Sequence, residues 1–211
     1  MGNLRIGVLA SHAGGNLQAV IDALKQGRLA GEVCAVISNN SGSEALARAR
    51  REGIAAFHIS QATHPSEEER DAAILGSLEG CGANLVLLAG YMKRLGPRTI
   101  SRYRGRILNT HPALLPRFGG RGMYGDFVHQ AVLDAGEKVT GVTIHLVDEE
   151  YDHGSIVAQC EVAVLPGDTV EALRARVLER ERRFVVETLG RIATGETRLG
   201  GHRPSSAERI P

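Results

Sequence analysis

Short, unbroken aliphatic runs alternate along this chain with stretches whose apolar residues recur every three or four positions. Residues 4–10 make the first run, 33–38 the second, 54–59 the third and 84–89 the fourth. Runs of this length, bounded by Gly, Asn or Pro, predict buried strands. Between them, Leu17, Val20, Ile21 and Leu24 share one face of a predicted helix, and a second helix spans about 44–51 and stops at Gly53. Pro65-Ser66 opens a charged helix with Ile74 and Leu78 inward. Further on, an apolar run ends in Asn109-Thr110-His111, and a helix follows over about 126–135. Residues 141–147 alternate as a strand with Thr143, His145 and Val147 on one face, and 156–164 is extended. Asp168-Thr169 then caps a long helix carrying Val170, Leu173, Val177, Phe184, Val185 and Leu189.

Strands alternating with helices at this rhythm predict an α/β fold with a right-handed, doubly wound, mostly parallel sheet. Such sheets bind ligands at the carboxyl ends of their strands. Ser11, Gly90 and His111 each follow a strand end, so the sheet is expected to bring them to one edge. No repeat or linker divides the chain, and 1–211 reads as a single domain. The polar, glycine-containing tail from Thr197 is expected to be loosely ordered.

Composition narrows the function classes. A formal net charge of +1 gives no bulk attraction to nucleic acid or anionic lipid, and 4% aromatics without Trp offer no base-stacking surface. No apolar run approaches membrane-spanning length and the start lacks a signal-peptide pattern, so a cytoplasmic protein is expected. Cys34, Cys81 and Cys160 show no paired or metal-ligand spacing and read as reduced thiols, with no metal expected.

Two stretches carry candidate chemistry. Asn109 and His111 lie two apart in a strand, so the amide and the imidazole can face one cavity. Pro112 holds His111 toward extended geometry. One group can hydrogen-bond an oxygen and the other titrates near neutrality, an acid–base and oxyanion pair; a strand-capping His beside a turn-starting Asn is the plain alternative. The second stretch is the loop Ser11-His12-Ala13-Gly14-Gly15-Asn16 between strand and helix. Its glycines permit close anion approach at a helix N-terminus, and Asn16 suits the N-cap. It is neither a dinucleotide fingerprint nor a Walker loop, which leaves a single phosphate monoester or a plain βα turn. Residues 117–125, glycine-rich around Arg117 and Arg121, read as a mobile loop over a substrate or as a solvated one. Asp152 lies in an acidic turn that only the fold can bring to His111.

These residues resemble a known family. Asn109-x-His111-Pro112-x-Leu114-Leu115-Pro116, followed by Asp152-x-Gly154, is similar to the folate-dependent formyltransferases. Ser11-x-x-Gly14-x-Asn16-Leu17-Gln18-Ala19, the stretch 90–95 and Arg176-Val177-x-x-x-Glu181 resemble the phosphoribosylglycinamide formyltransferases among them. The likeness keeps order and spacing from about residue 4 to 192. It implies a Rossmann-like formyltransferase fold and transfer of the formyl group of 10-formyltetrahydrofolate, the co-substrate, to the amine of glycinamide ribonucleotide in de novo purine (IMP) biosynthesis. It further implies that Asn109 bonds the formyl oxygen, His111 stabilises the tetrahedral oxyanion, and Asp152 keeps His111 protonated and assists proton transfer. Ser11, Ala13, Gly14, Gly15, Asn16 and Glu181 would hold the ribonucleotide. Met92, Lys93, Arg94, Leu95, Val147, Asp148 and Tyr151 would line the folate pocket. Partners are then small molecules, with neither nucleic acid nor membrane, and the enzyme is a monomer or homodimer.

The sequence departs from the family pattern at Gly15, where a Ser is usual, at Arg182, where a His often follows the helix glutamate, and in a longer 119–125 loop. His145 is expected to pack rather than react, and His58, His64, His129, His153 and His202 to be surface or structural. Two rivals share the catalytic residues or the fold: a formyltetrahydrofolate hydrolase, whose chains carry an extra N-terminal domain, and a non-catalytic nucleotide-binding module. A methionyl-tRNA formyltransferase would need a further C-terminal nucleic-acid-binding domain.

Overall fold

In the computed structural model, residues 3–199 and the backbone of 209–210 are described. The aliphatic runs become strands β1 (Leu4–Leu9), β2 (Gly31–Ser38), β3 (Ala55–His58), β4 (Leu85–Leu88) and β5 (Ile107–His111), joined by helices α1 (Gly15–Lys25), α2 (Glu44–Arg51), α3 (Glu67–Gly80) and α4 (Pro97–Arg102). Then come α5 (Asp126–Asp134), β6 (Val139–Leu146), β7 (Ile156–Ala163), α6 (Val170–Thr194) and the two-residue β8 (Arg209–Ile210). The strands lie in the order β3-β2-β1-β4-β5-β6-β7-β8. Pairing is parallel from β3 across to β5, antiparallel between β5, β6 and β7, and parallel again between β7 and β8.

Because the central strands are covered on both faces, they are apolar throughout; all four residues of β4 are buried. One core lies between the sheet and α1, α2 and α6, with Leu17, Val20, Leu46, Val177, Phe184 and Val185 at its centre. The other lies under α3 and α4, around Leu9, Ile74, Leu78, Tyr103 and Ile107. Strand order reverses between β1 and β4, which opens a crevice at their carboxyl ends.

Two features differ from the expectations. Helix α4 has no local start signal beyond Pro97. Its first turn is capped by Asp71 of α3, which accepts from Arg98 N (2.8 Å), Thr99 N (3.0 Å) and Thr99 Oγ1 (2.6 Å). The tail expected from Thr197 onward, with His202, falls mostly on 200–208 and 211, outside the described residues, while the backbone of 209–210 pairs with β7. Cys34, Cys81 and Cys160 are free thiols, and burial pushes that of Cys160 up to about 11. No helix among the described residues is long and apolar enough to cross a membrane.

Candidate active site

Strands β5 and β6 pair so that Asn109 lies opposite His145 and His111 opposite Thr143. Directly opposed residues put their side chains on the same face, and here that face opens on a cavity of about 760 Å³ lined by Asn109, His111 and Asp152. Three devices fix the pair. Buried Thr143 donates to Ala113 O (2.6 Å) and accepts from Leu115 N (3.0 Å) and Gln159 Nε2 (2.9 Å), clamping the turn after His111 onto β6. A bulge in the β6–β7 pairing lies beside His145. Finally, a Cβ on Gly154 would fall 1.8 Å from Leu146 O, so only glycine lets the acidic turn fold back tightly enough to present Asp152.

Asp152 itself has left-handed backbone (φ 54°) and is the hub of the site. Its Oδ2 accepts from Gly120 N (3.0 Å) and lies 3.4 Å from His111 Nδ1, while Oδ1 lies 3.5 Å from His145 Nε2. Despite burial, the two imidazoles and the Gly120 N–H hold its carboxyl below the usual range. His111 Nε2 meets Phe118 O at 2.7 Å, so both ring nitrogens face oxygens. The expectation that Asp152 keeps this ring protonated is corrected: burial lowers the His111 pKa, and Asp152 and the Phe118 carbonyl offset that only in part. An acceptor lies beside each ring nitrogen, Asp152 Oδ2 at Nδ1 and Phe118 O at Nε2.

His145 is more than packing. Its Nδ1 contacts Leu146 O (2.9 Å) and its Nε2 contacts Asn109 Nδ2 (3.0 Å), which holds the Asn109 side chain in place. His129, expected at the surface or in a structural role, is 2% exposed and lines the cavity with an unpartnered Nδ1; burial lowers its pKa. No local sequence signal marks His145, because its register opposite Asn109 exists only in the folded ladder.

The same cavity is lined by Ala13, Gly14, Gly15 and Asn16, which lead into and open α1. Gly14 is left-handed (φ 67°), and a Cβ there would sit 2.9 Å from Ala45 Cβ. The helix begins without a side-chain cap, which leaves first-turn N–H groups beside the cavity. Two expectations change here. Asn16 is not the N-cap: its Nδ2 donates to Glu181 Oε1 (2.9 Å), a buried carboxyl raised above its ordinary pKa by that burial. Ser11 is fully buried, donating to Asn39 Oδ1 (2.5 Å) and accepting from Met92 N (2.8 Å), so it ties strand ends together rather than lining the cavity.

Of the expected folate residues, Met92, Lys93 and Tyr151 line the cavity. Arg94, Leu95, Val147 and Asp148 do not. The Arg94 guanidinium donates to Glu149 O, Leu95 is in the core with Val147 packed on it, and Asp148 accepts from Glu150 N (2.9 Å) and contacts His153 (3.0 Å). Arg121 lines the cavity, whereas Arg117 pairs with Glu137. Among the described residues no cluster of His, Cys, Asp and Glu could hold a metal ion.

Comparison with known proteins agrees with this geometry. A solved structure, glycinamide ribonucleotide transformylase 1 from Symbiobacterium toebii, is 42% identical with a TM-score of 0.88, covering 96% of this chain and 94% of that one. A phosphoribosylglycinamide formyltransferase of Haemophilus influenzae is 36% identical over 92% of this chain and 90% of its own length. The chloroplastic enzyme of that name from Arabidopsis thaliana is 39% identical over 89% of this chain, which spans 65% of the plant protein. The family model described as formyl transferase matches residues 4–189, and the chain belongs to that family.

Proposed function

We propose that this protein is a phosphoribosylglycinamide formyltransferase, passing the formyl group of 10-formyltetrahydrofolate to the amine of glycinamide ribonucleotide in purine synthesis. The observation that carries the reading is one cavity lined both by Asn109, His111 and Asp152 and by the uncapped start of α1. A phosphate suits those free N–H groups and the helix dipole. Exposed apolar side chains on the same cavity, Met92, Tyr124, Tyr151 and Leu178, suit a flat aromatic co-substrate.

The amine is itself the nucleophile, so the protein supplies position and charge stabilisation. The amine lone pair bonds to the formyl carbon and the carbonyl π electrons move onto oxygen, where the Asn109 amide donates. The nitrogen, now cationic, gives up a proton to neutral His111. The growing oxyanion favours that protonation on one side of the ring, and Asp152 favours it on the other. Collapse of the intermediate re-forms the carbonyl and breaks the carbon–N10 bond. The proton passes from His111 to N10, leaving tetrahydrofolate and the formylated amide. For Nε2 to reach substrate, the Phe118 contact must open, which the glycine-rich 119–125 loop allows. His145 and Glu181 act behind the reacting atoms by holding Asn109 and Asn16.

The same reading places the protein in the cytoplasm, as a monomer or homodimer, with small-molecule partners and without a metal. The test is release of tetrahydrofolate from the formyl donor with and without glycinamide ribonucleotide. Amine-dependent release supports transfer; equal release in both would assign a hydrolase, and nucleotide binding without release a binding module.

A further inference from the structure

The cations around the cavity are not equivalent. Arg174 is committed to Asp126 through two bonds of 2.8 Å, and Arg48, behind the loop, donates to Ala13 O (3.0 Å) and Gln18 Oε1 (2.6 Å). Arg182, exposed, lines the cavity beside the start of α1, yet no hydrogen bond or ion pair to it is seen among the described residues; its charge lies near the buried Glu181 and opposes the rise that burial gives that carboxyl. Its guanidinium lies against Gly15. A Cβ built on that glycine would fall 3.0 Å from Nε, 3.3 Å from Nη2 and 3.5 Å from Cζ. Leu178, one turn earlier on α6 and also on the cavity, supplies no charge. A side chain at position 15 and the guanidinium thus compete for one space, over the backbone where the helix presents its N–H groups.

We infer that Arg182 is the residue that neutralises the substrate's phosphate in this chain, and that Gly15 is present to admit it. A planar fork of N–H donors matches phosphate oxygens in a way a serine hydroxyl does not. The usual hydroxyl at position 15 is thereby exchanged for a full positive charge delivered from α6. The inference rests on the phosphate reading of the 11–16 loop given above. The hollow of about 1080 Å³ between α1 and α6, which Arg182 also borders, is no rival, because it is lined by Asp22, Glu187 and Glu196 as well and its Arg183 and Arg191 are paired with Glu179 and Glu196.

The experiment measures kcat/KM with glycinamide ribonucleotide and with its dephosphorylated riboside, at fixed 10-formyltetrahydrofolate. The wild type is expected to prefer the nucleotide strongly. Arg182→Ala should lower kcat/KM for the nucleotide about 10- to 100-fold, the scale of charge-assisted hydrogen bonds, through KM. The riboside value should stay put, and Arg182→Lys should recover part of the loss. Gly15→Ala, which crowds the guanidinium rather than removing it, should give a smaller loss in the same direction, and in an Arg182→Ala background it should add little, because both changes act on one contact. If Arg182→Ala keeps the wild-type preference for the nucleotide, or the two changes simply add, the assignment of Arg182 fails while the phosphate site stands. A wild type that treats nucleotide and riboside alike overturns the phosphate reading, and this inference with it.

Discussion

Replacing Asp152 by Asn tests the proposed chemistry most directly, because the shape is kept and only the charge is removed. The carboxylate lies 3.4 Å from His111 Nδ1. Two unit charges at that distance, at an effective dielectric of about 20, interact by about 5 kcal/mol. If about half a proton has reached the ring in the transition state, about 2.4 kcal/mol of stabilisation is lost, or about 60-fold in kcat. The Gly120 N–H keeps an oxygen to donate to, so the loop contact should persist. Losing the anion also lowers the His111 pKa further, and the acid limb of the pH–rate profile should move to lower pH. Both are read from tetrahydrofolate formation at saturating substrates between pH 5 and about 9, a window set by the ordinary histidine range. A variant within threefold of wild type, with an unmoved acid limb, would refute the coupling of these two side chains.

Other changes probe the surroundings. Thr143→Val keeps the volume but strands Leu115 N and Ala113 O, while the Gln159 amide keeps its bond to Leu115 O (2.9 Å); a loss of about 3 kcal/mol and a Tm lower by about 6–12 °C follow, and an unchanged melting curve would dismiss the clamp. His145→Phe removes the ring contact that positions the Asn109 amide and should cut kcat about tenfold or more while sparing KM for both substrates; a pure KM effect would contradict the orienting role. Gly14→Val forces a left-handed residue into Ala45 and should weaken the nucleotide more than the folate, the reverse order placing the phosphate elsewhere. His111, His129 and Asp152 all have folded pKa values below their ordinary ones, so the unfolded chain binds more protons and stability falls as pH drops below about 6.5 through the histidines, then further in the carboxylate range. Glu181, raised, works in the opposite sense, its contribution being lost as pH rises. His129→Gln should therefore lose less Tm than wild type between pH 7 and about 5, and an identical slope would remove His129 from the account.

The strands were legible because each is an aliphatic run with polar bounds, and β1, β2 and β4 need no partner to be recognised. Helix α4 was not, since its cap comes from Asp71, 28 positions away in sequence. The candidate site was legible as a set of residue types but not as a set of contacts. Ser11 and Asn16 carry the right chemistry for an anion, yet their side chains are consumed by Asn39, Met92 and Glu181, partners that only the closed sheet supplies. His145 looked like packing because nothing local shows that its neighbour across the ladder is Asn109. The charge on His111 was misjudged for the same reason. A nearby carboxylate can be guessed from a motif, whereas the burial that outweighs it cannot.

The antiparallel pairing of β5 with β6, together with the tight fold-back at Gly154, means that the reactive group is specified by counting as much as by residue type. One residue inserted or removed in β6 before His145 would turn that ring away from Asn109, and one between β6 and Gly154 would move Asp152 off both imidazoles, with every one of them still present in the chain. Variation in length can accumulate in the 117–125 loop, which is anchored at its ends. A search for functional relatives of this protein would therefore do well to require constant spacing from β6 to the acidic turn, and to ignore how long the preceding loop has grown.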